Sequence, residues 1–359
     1  MIPVTKPFLP PIDEYSELLK DLWDRNWLTN DGPLVKGLEN SLCEFLGVKD
    51  LVYISNGTIG LQIALKTLNI KGDVITTPFS YVATTSSLVW EGCNPIFVDI
   101  ESNTLNIDPY RIEEAITDKT TAILATHVFG NPCSIDLIEN IANKYSLKVI
   151  YDAAHCFGVK FKDQSIFGFG DISVTSFHAT KVFHTIEGGA IFSQSEEIIS
   201  KASYMRNFGH DGPGKFSGVG INGKNSEFHA AMGLVNLKYI SKIIDSRKRI
   251  FESYNEFLPS SEVHVPILRN EDVKHNYSYY PVLFRTNEIC LKVLSKLTQN
   301  DIYPRRYFYP LLSELDYVIG KNTPIASDIS TRILCLPTYY ELTRYEIEKI
   351  SRLILQVIG

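Results

Sequence analysis

The chain has 359 residues, 44% of them hydrophobic and 21% charged, an ordinary globular composition long enough for one large domain with a well-buried core and one small domain. Its formal net charge of −6 gives no electrostatic reason to expect nucleic acid or an anionic membrane as partner, although a local basic patch can still hold an anionic small molecule. The six scattered cysteines (43, 93, 133, 156, 290 and 335) form no CxxC pair, no run reaches membrane-span length, and Met1-Ile-Pro-Val-Thr-Lys-Pro-Phe8 lacks the features of a secretory leader, so a cytoplasmic protein without structural disulfides or metal is expected.

In chain order, an extended proline-rich lead over residues 3–11 precedes an amphipathic helix over 15–23 and another over 34–46. Between them lies Asn26-Trp-Leu-Thr-Asn-Asp-Gly-Pro33, a loop of turn formers. Its Trp27, Asp31 and Gly32 belong either to a plain connector or to the lining of a ligand site. From residue 51 strand, turn and helix alternate. Short apolar strands are predicted over 51–54, 74–77, 95–99, 122–128, 147–151, 172–177 and 190–193, and helices over 59–68, 82–90, 108–116 and 134–145. That alternation predicts an α/β domain with a mostly parallel sheet covered on both faces. Gly168-Phe-Gly170 is no dinucleotide fingerprint, because no glycine-initiated helix follows it. Residues 203–227 read as a glycine-rich loop and 227–254 as one long helix leaving the large domain. A strand over 277–284 and helices over 288–299 and 344–358 suit a small α+β domain. The expected division is 1–240 for the large domain, N-terminal segment included, and 241–359 for the small one.

Three places in this pattern carry chemistry. Ser55-Asn-Gly57-Thr58 joins a strand to a helix, where free backbone N–H groups and a small hydroxyl form a phosphate cradle. Asp152 ends a central strand, the end at which open α/β sheets bind ligands; it is otherwise a helix cap or a buried structural acid. Lys181 sits in a polar turn between two core strands, where burial and cationic neighbours would lower its pKa and make the amine nucleophilic. The pair Gly188-Gly189 after it lets backbone pass close to a flat ligand. A phosphate site, a strand-end carboxylate and a buried lysine match the needs of pyridoxal phosphate: the lysine holds the aldehyde as a Schiff base and the carboxylate keeps the pyridine nitrogen protonated, so that the ring acts as an electron sink. Tyr81 is placed either to stack on that ring or to pack in the core.

Taken together, Ser55-Asn-Gly-Thr58, Asp152-Ala-Ala-His155, Ser176-Phe-His-Ala-Thr-Lys181 and Glu187-Gly-Gly189 resemble the DegT/DnrJ/StrS group of nucleotide-sugar aminotransferases, over nearly the whole chain, from Trp27 to Tyr339. The resemblance implies the type I (aspartate-aminotransferase) α/β fold and a homodimer with active sites at the subunit interface. It implies that Lys181 carries the cofactor and shuttles the proton, that Asp152 pairs with the pyridinium nitrogen, and that Tyr81 stacks on the ring. Gly57, Thr58 and Ser176 would hold the phosphate, His155 would approach the phenolic oxygen, and Asn222 would reach the phosphate from the neighbouring subunit. One departure stands out: where the family often has Arg-Met after that asparagine's segment, this chain has Lys224-Asn225. Relatives with histidine in place of the lysine dehydrate the sugar; Lys181 favours transamination.

Residues 177–188 and 304–310 most resemble enzymes that aminate C-4 of dTDP-4-keto-6-deoxyglucose with L-glutamate as donor, whose products usually enter bacterial surface polysaccharides such as the O-antigen of lipopolysaccharide. Amination at C-3, a GDP-linked sugar, and a non-catalytic nucleotide-sugar binder are the alternatives. Arg305 and Arg306 either neutralise a pyrophosphate or are solvated surface charges. Tyr307 and Tyr309 either stack on the base or pack the small domain. His184 and Lys224 complete the expected substrate contacts.

Overall fold

The computed structural model describes residues 1–261, 263–266, 271–320 and 322–359. The short strand β1 (Ile2–Pro3) leads into helix α1 (Ile12–Arg25), which places Asp13 and Glu14 in its first turn, and α2 (Pro33–Leu46), which has proline at its first position; both choices suit the orphan N–H groups and dipole of a helix start. Then come β2 (Leu51–Ile54), α3 (Gly57–Thr67), β3 (Asp73–Thr76), α4 (Val82–Trp90), β4 (Asn94–Phe97), the one-turn α5 (Ile112–Ala115), β5 (Thr120–Thr126), α6 (Ile135–Tyr145) and β6 (Lys148–Asp152). A small three-stranded sheet uses β7 (Lys160–Phe161) and β8 (Gln164–Ser165), and the main sheet resumes with β9 (Ile172–Ser176) and β10 (Gly189–Phe192). The rest of the chain supplies α7 (Glu196–Arg206), α8 (Glu227–Leu237), α9 (Ile240–Phe257), β11 (Val273–Lys274), β12 (Tyr280–Leu283), α10 (Asn287–Thr298), β13 (Ile302–Tyr303), α11 (Pro324–Arg332), β14 (Ile333–Leu336) and α12 (Arg344–Ile358).

The seven-stranded sheet has the order β2-β10-β9-β6-β5-β3-β4 and is parallel except for β10, which runs antiparallel to both neighbours. Its strands are apolar on both sides because helices cover both faces. Ile123, Ala125, Val149 and Tyr151 enter one core with α2, α6 and α8, while Ala122, Leu124, Ile150 and Val174 enter the other with α3 and α7. A third core joins α9, α10 and α12 to the pair β12–β14. Ile2 belongs to that third core, and β1 pairs parallel with β13, so the first residues of the chain are bonded to its C-terminal part.

Three sequence expectations are corrected. The helix expected over 227–254 is two helices, α8 and α9, because the backbone tightens to three-residue hydrogen bonds at Lys238 and Tyr239. Tertiary contacts hold that break: Lys238 pairs with Glu14 at 2.8 Å and the Tyr239 hydroxyl donates to the same carboxylate. The loop expected from 203 begins only after Arg206, which ends α7 and is buried against Glu39 (2.7 Å), Asp31 (3.0 Å) and the Tyr53 carbonyl. The segment 108–116 divides into a 3-10 turn, Pro109–Arg111, and α5.

Candidate active site

The carboxyl ends of β5, β6 and β9 open onto a cavity of about 960 Å³. Its floor begins at α3. Asn56 caps that helix, accepting from Ile59 N–H at 2.9 Å, so the remaining first-turn donors, at Gly57 and Thr58, have no partner within the helix and face the cavity. Ser176, the last residue of β9, lines the same corner, and a Cβ built on Gly57 would lie 3.2 Å from the Ser176 Cβ. A side chain there would press on Ser176.

Gly188 and Gly189 serve a purpose other than the one expected. A Cβ at Gly189 would come within 2.6 Å of the Thr175 carbonyl and 2.9 Å of the Asn56–Gly57 peptide, and one at Gly188 within 2.1 Å of Thr185 Oγ1. Protein, not a flat ligand, fills the space. Gly189 lets β10 approach the Asn56–Gly57 turn, and Gly188 leaves room for the Thr185 hydroxyl.

Asp152 ends β6 and is buried. Its Oδ2 accepts from Thr84 Oγ1 at 2.7 Å and its Oδ1 from Ala154 N–H at 3.1 Å. Burial pushes its pKa up, opposed by those two donors and by Lys181. Lys181, in the turn between β9 and β10, lines the cavity. Burial lowers its pKa from the ordinary 10.5 to about 8, against the attraction of Asp152 and Cys156. Desolvation alone activates the amine; the cationic neighbours expected from the sequence are not among the causes. His155 accepts from Phe129 N–H on Nδ1 at 3.2 Å, so its neutral ring carries the proton on Nε2 and can donate to a group in the cavity it lines. Burial holds that ring neutral.

Tyr81, the N-cap of α4, is 55% exposed and lines the cavity, which decides against core packing. Arg305, Arg306, Tyr307 and Tyr309 line it too. Arg305 donates to the Tyr307 hydroxyl at 2.6 Å; Arg306 stacks on the Tyr309 ring at 3.6 Å and donates to the Thr331 carbonyl at 3.1 Å. The arginines are therefore oriented side chains at the cavity wall rather than loose surface charges.

Other expected residues lie elsewhere. His184 is removed from the substrate set: it is 3% exposed, its Nε2 donates to the Phe8 carbonyl at 2.8 Å, and its Nδ1 accepts from Ile186 N–H at 3.2 Å. Both ring nitrogens are used inside the protein. Asn222 and Lys224 bond each other at 2.9 Å and do not line this cavity within one chain. Within one chain Trp27, Asp31 and Gly32 do not line this cavity: Glu227 accepts from Leu34 and Val35 N–H at 2.9 Å each, Gly32 leaves room for that carboxylate, and Asp31 pairs with Arg206.

Sequence reasoning missed Tyr279 and the pair His178–Glu187 (3.5 Å), which line the cavity, and Thr84, which bonds Asp152 without lining it. Thr84 left no local signal, since its partner Asp152 lies 68 residues further on. A helix-terminal anion cradle, a strand-end carboxylate, a lysine of lowered pKa and an exposed aromatic face around one cavity fit pyridoxal phosphate in every donor type it requires.

Comparison with known proteins agrees. The DegT/DnrJ/EryC1/StrS aminotransferase family description matches residues 12–355. The dTDP-4-amino-4,6-dideoxy-D-glucose transaminase of Shigella dysenteriae is 43% identical over 99% of this chain and 98% of its own, and the GDP-perosamine synthase of Escherichia coli O157:H7 is 30% identical over 96% and 95%. A solved structure of DesI in the presence of its TDP-sugar product superposes with a TM-score of 0.94 at 31% identity, covering 99% of this chain and 93% of that one. The chain belongs to the DegT/DnrJ/EryC1/StrS family and is a pyridoxal-phosphate-dependent aminotransferase of the type I α/β fold.

Proposed function

We propose that this aminotransferase moves the amine of L-glutamate to C-4 of dTDP-4-keto-6-deoxy-D-glucose, giving dTDP-4-amino-4,6-dideoxy-D-glucose and 2-oxoglutarate. The observation that carries the reading is the convergence on one cavity of Lys181, Asp152 and the oriented pair Arg305–Arg306; the 43% full-length identity to a transaminase of that name supports the sugar. A GDP-linked sugar is the second reading, on the 30% identity to a GDP-perosamine synthase.

Bound pyridoxal phosphate supplies an electron sink for the carbon that loses and regains its proton. Gly57, Thr58 and Ser176 would hold its phosphate, Tyr81 would cover the ring, Asp152 would hold the ring nitrogen's proton, and His155 would offer its Nε2–H to the cofactor. Lys181 Nζ, with its pKa lowered to about 8, takes a proton in the glutamate half-reaction and returns one in the sugar half-reaction, as a base matched to neutral pH does. Arg305 and Arg306 offer guanidinium groups to the pyrophosphate, and Tyr307 and Tyr309 flank them for the base. A lysine with lowered pKa beside a buried carboxylate has no use in a pure binding protein, which argues against the non-catalytic alternative.

Asn222 and Lys224 reach such a site only from a second copy, and a homodimer with shared sites is part of this proposal. No helix among the described residues is long and apolar enough to cross a membrane. Six free cysteines suit a reducing cytoplasm, and a destination in a bacterial surface polysaccharide rests on the family resemblance alone. The division into 1–240 and 241–359, at the start of α9, is part of the proposal, with the first residues packed on the smaller part.

The test is amination with L-glutamate of dTDP-4-keto-6-deoxyglucose, its GDP-mannose-derived counterpart and a 3-keto isomer. Product mass and NMR locate the amine. A C-4 amine on the dTDP sugar is the expected result; preferential turnover of the GDP sugar moves the assignment to the second reading, and amination at C-3 overturns the position.

A further inference from the structure

Asp152 ends a chain of buried hydroxyls that the activity as described does not use, although two of its members, Ser80 and Thr126, also line the cavity. Thr126 Oγ1 is 3.0 Å from Ser80 Oγ, Ser80 Oγ is 2.7 Å from Thr84 Oγ1, and Thr84 Oγ1 is 2.7 Å from Asp152 Oδ2. None of the four residues is more than 6% exposed. The fold brings them together: Thr126 is the register partner of Asp152 across β5–β6, Ser80 ends the loop after β3, and Thr84 lies in the first turn of α4.

Proton counting fixes the direction of this chain. An ionised carboxylate only accepts, so Thr84 commits its single hydroxyl proton to Asp152. Its contact with Ser80 is then one it accepts, so Ser80 donates to Thr84, and Thr126 donates to Ser80. Three aligned O–H dipoles point at one carboxylate oxygen, and Ala154 N–H serves the other. Each hydroxyl that donates along the chain is polarised by the one before it, so the chain favours the ionised carboxylate.

Few other groups act on that carboxylate. Neither α4, β5 nor β9 carries a titratable side chain. His127, which follows β5, stacks its ring on Tyr151 at 4.4 Å. Lys181 in the turn after β9 attracts the charge, Cys156 after β6 is electrostatically coupled to it, and neighbouring His155 is held neutral by burial. Burial works against the ionised form, and the Thr84 hydrogen bond is its strongest opponent, ahead of Ala154 and Lys181.

We propose that Thr126, Ser80 and Thr84 are positioning residues that hold Asp152 ionised and thereby keep the proton on the cofactor's ring nitrogen instead of on the carboxylate. The inference rests on Asp152 facing that nitrogen. Weakening the donor chain makes the carboxylate more basic and draws the proton toward it, which removes positive charge from the ring and raises the pH at which the bound cofactor's visible absorption titrates.

The experiment uses purified holoenzyme with cofactor labelled by 15N in the ring, and reads the 15N chemical shift and the pH midpoint of the absorption change. Thr84→Val keeps the shape and removes the donor. It should move the 15N signal toward that of an unprotonated pyridine, raise the midpoint by about one pH unit and weaken cofactor binding about tenfold, the scale of one charge-assisted hydrogen bond. Thr84→Ser should restore all three, and Ser80→Ala, one step removed, should shift them the same way by less. Asp152→Asn is the reference. If Asp152→Asn shifts both spectra and Thr84→Val leaves them as in the wild type, the hydroxyl chain is mere packing and the proposal fails. If Asp152→Asn also leaves them unchanged, the placement of Asp152 at the ring nitrogen fails first. Should Thr84→Val not fold, Ser80→Ala decides: an unshifted 15N signal there overturns the proposal.

Discussion

Replacing Lys181 by methionine should raise the stability of the cofactor-free protein, and should abolish turnover when the cofactor is supplied. The folded protein lowers this amine's pKa from 10.5 to about 8, so the ammonium form is less favourable there than in the unfolded chain. Below pH 8 the amine is charged in both states and the folded state bears the full penalty. Between pH 8 and 10.5 the folded state releases its proton first and stability rises with pH; above 10.5 the amine is neutral in both states and the penalty is gone. A shift of that size corresponds to roughly 3 kcal/mol, and screening by water in the cavity reduces it to about 2 kcal/mol. The attraction to Asp152 is already contained in the value of about 8. Methionine keeps the aliphatic stem and removes the charge, so no large void is made. Urea unfolding of both cofactor-free proteins at pH 7 and at pH 10.5 measures the effect. The variant should be more stable by about 2 kcal/mol at pH 7, and the difference should shrink at pH 10.5. Contributions from the buried tyrosines cancel in that difference. A gap that does not change with pH would refute the electrostatic argument.

Gly189→Ala forces a Cβ to within 2.6 Å of the Thr175 carbonyl and should cost about 1–3 kcal/mol of stability; because the displaced neighbour is the Asn56–Gly57 turn, fluorescence titration should also show weaker cofactor binding. His184→Ala leaves the Phe8 carbonyl unpaired in the interior and should destabilise by about 1–3 kcal/mol in a denaturation experiment, with an unchanged KM for the nucleotide sugar. Arg305→Met should raise the KM for the nucleotide sugar by about one to two powers of ten, the worth of a hydrogen bond to a charged group, in steady-state assays; an unchanged KM would return Arg305 to the surface charges.

The sequence by itself determined much of this protein. Short apolar strands bounded by Ser55-Asn-Gly, Pro78 and Asp152 alternate with apolar residues at helical spacing, and a sheet buried on both faces is the arrangement that covers them. The site's chemistry was legible for the same local reason: Gly57-Thr58, Asp152, Ser176 and Lys181 stand at strand ends, and the strand ends of an open α/β sheet converge. Tertiary structure alone decided the contacts between distant segments. Thr84 reaches Asp152 across 68 residues of chain, which no local pattern records. His184 sits in the same loop as Lys181 yet turns inward to the Phe8 carbonyl, because α8 supplies Asn236 to bond its backbone at 2.9 Å. The helix expected over 227–254 continues its apolar periodicity through Lys238 and Tyr239, and their partners at the break, Glu14 and Phe8, come from the far end of the chain. Gly188 and Gly189 announced a close approach, but what approaches them is set by the fold: pairing of β10 with β2 brings the Asn56–Gly57 turn to Gly189, and the folded-back loop brings Thr185 to Gly188. Periodicity and strand ends are properties of neighbouring residues; partners, and hence pKa values and side-chain roles, belong to whatever the fold brings alongside.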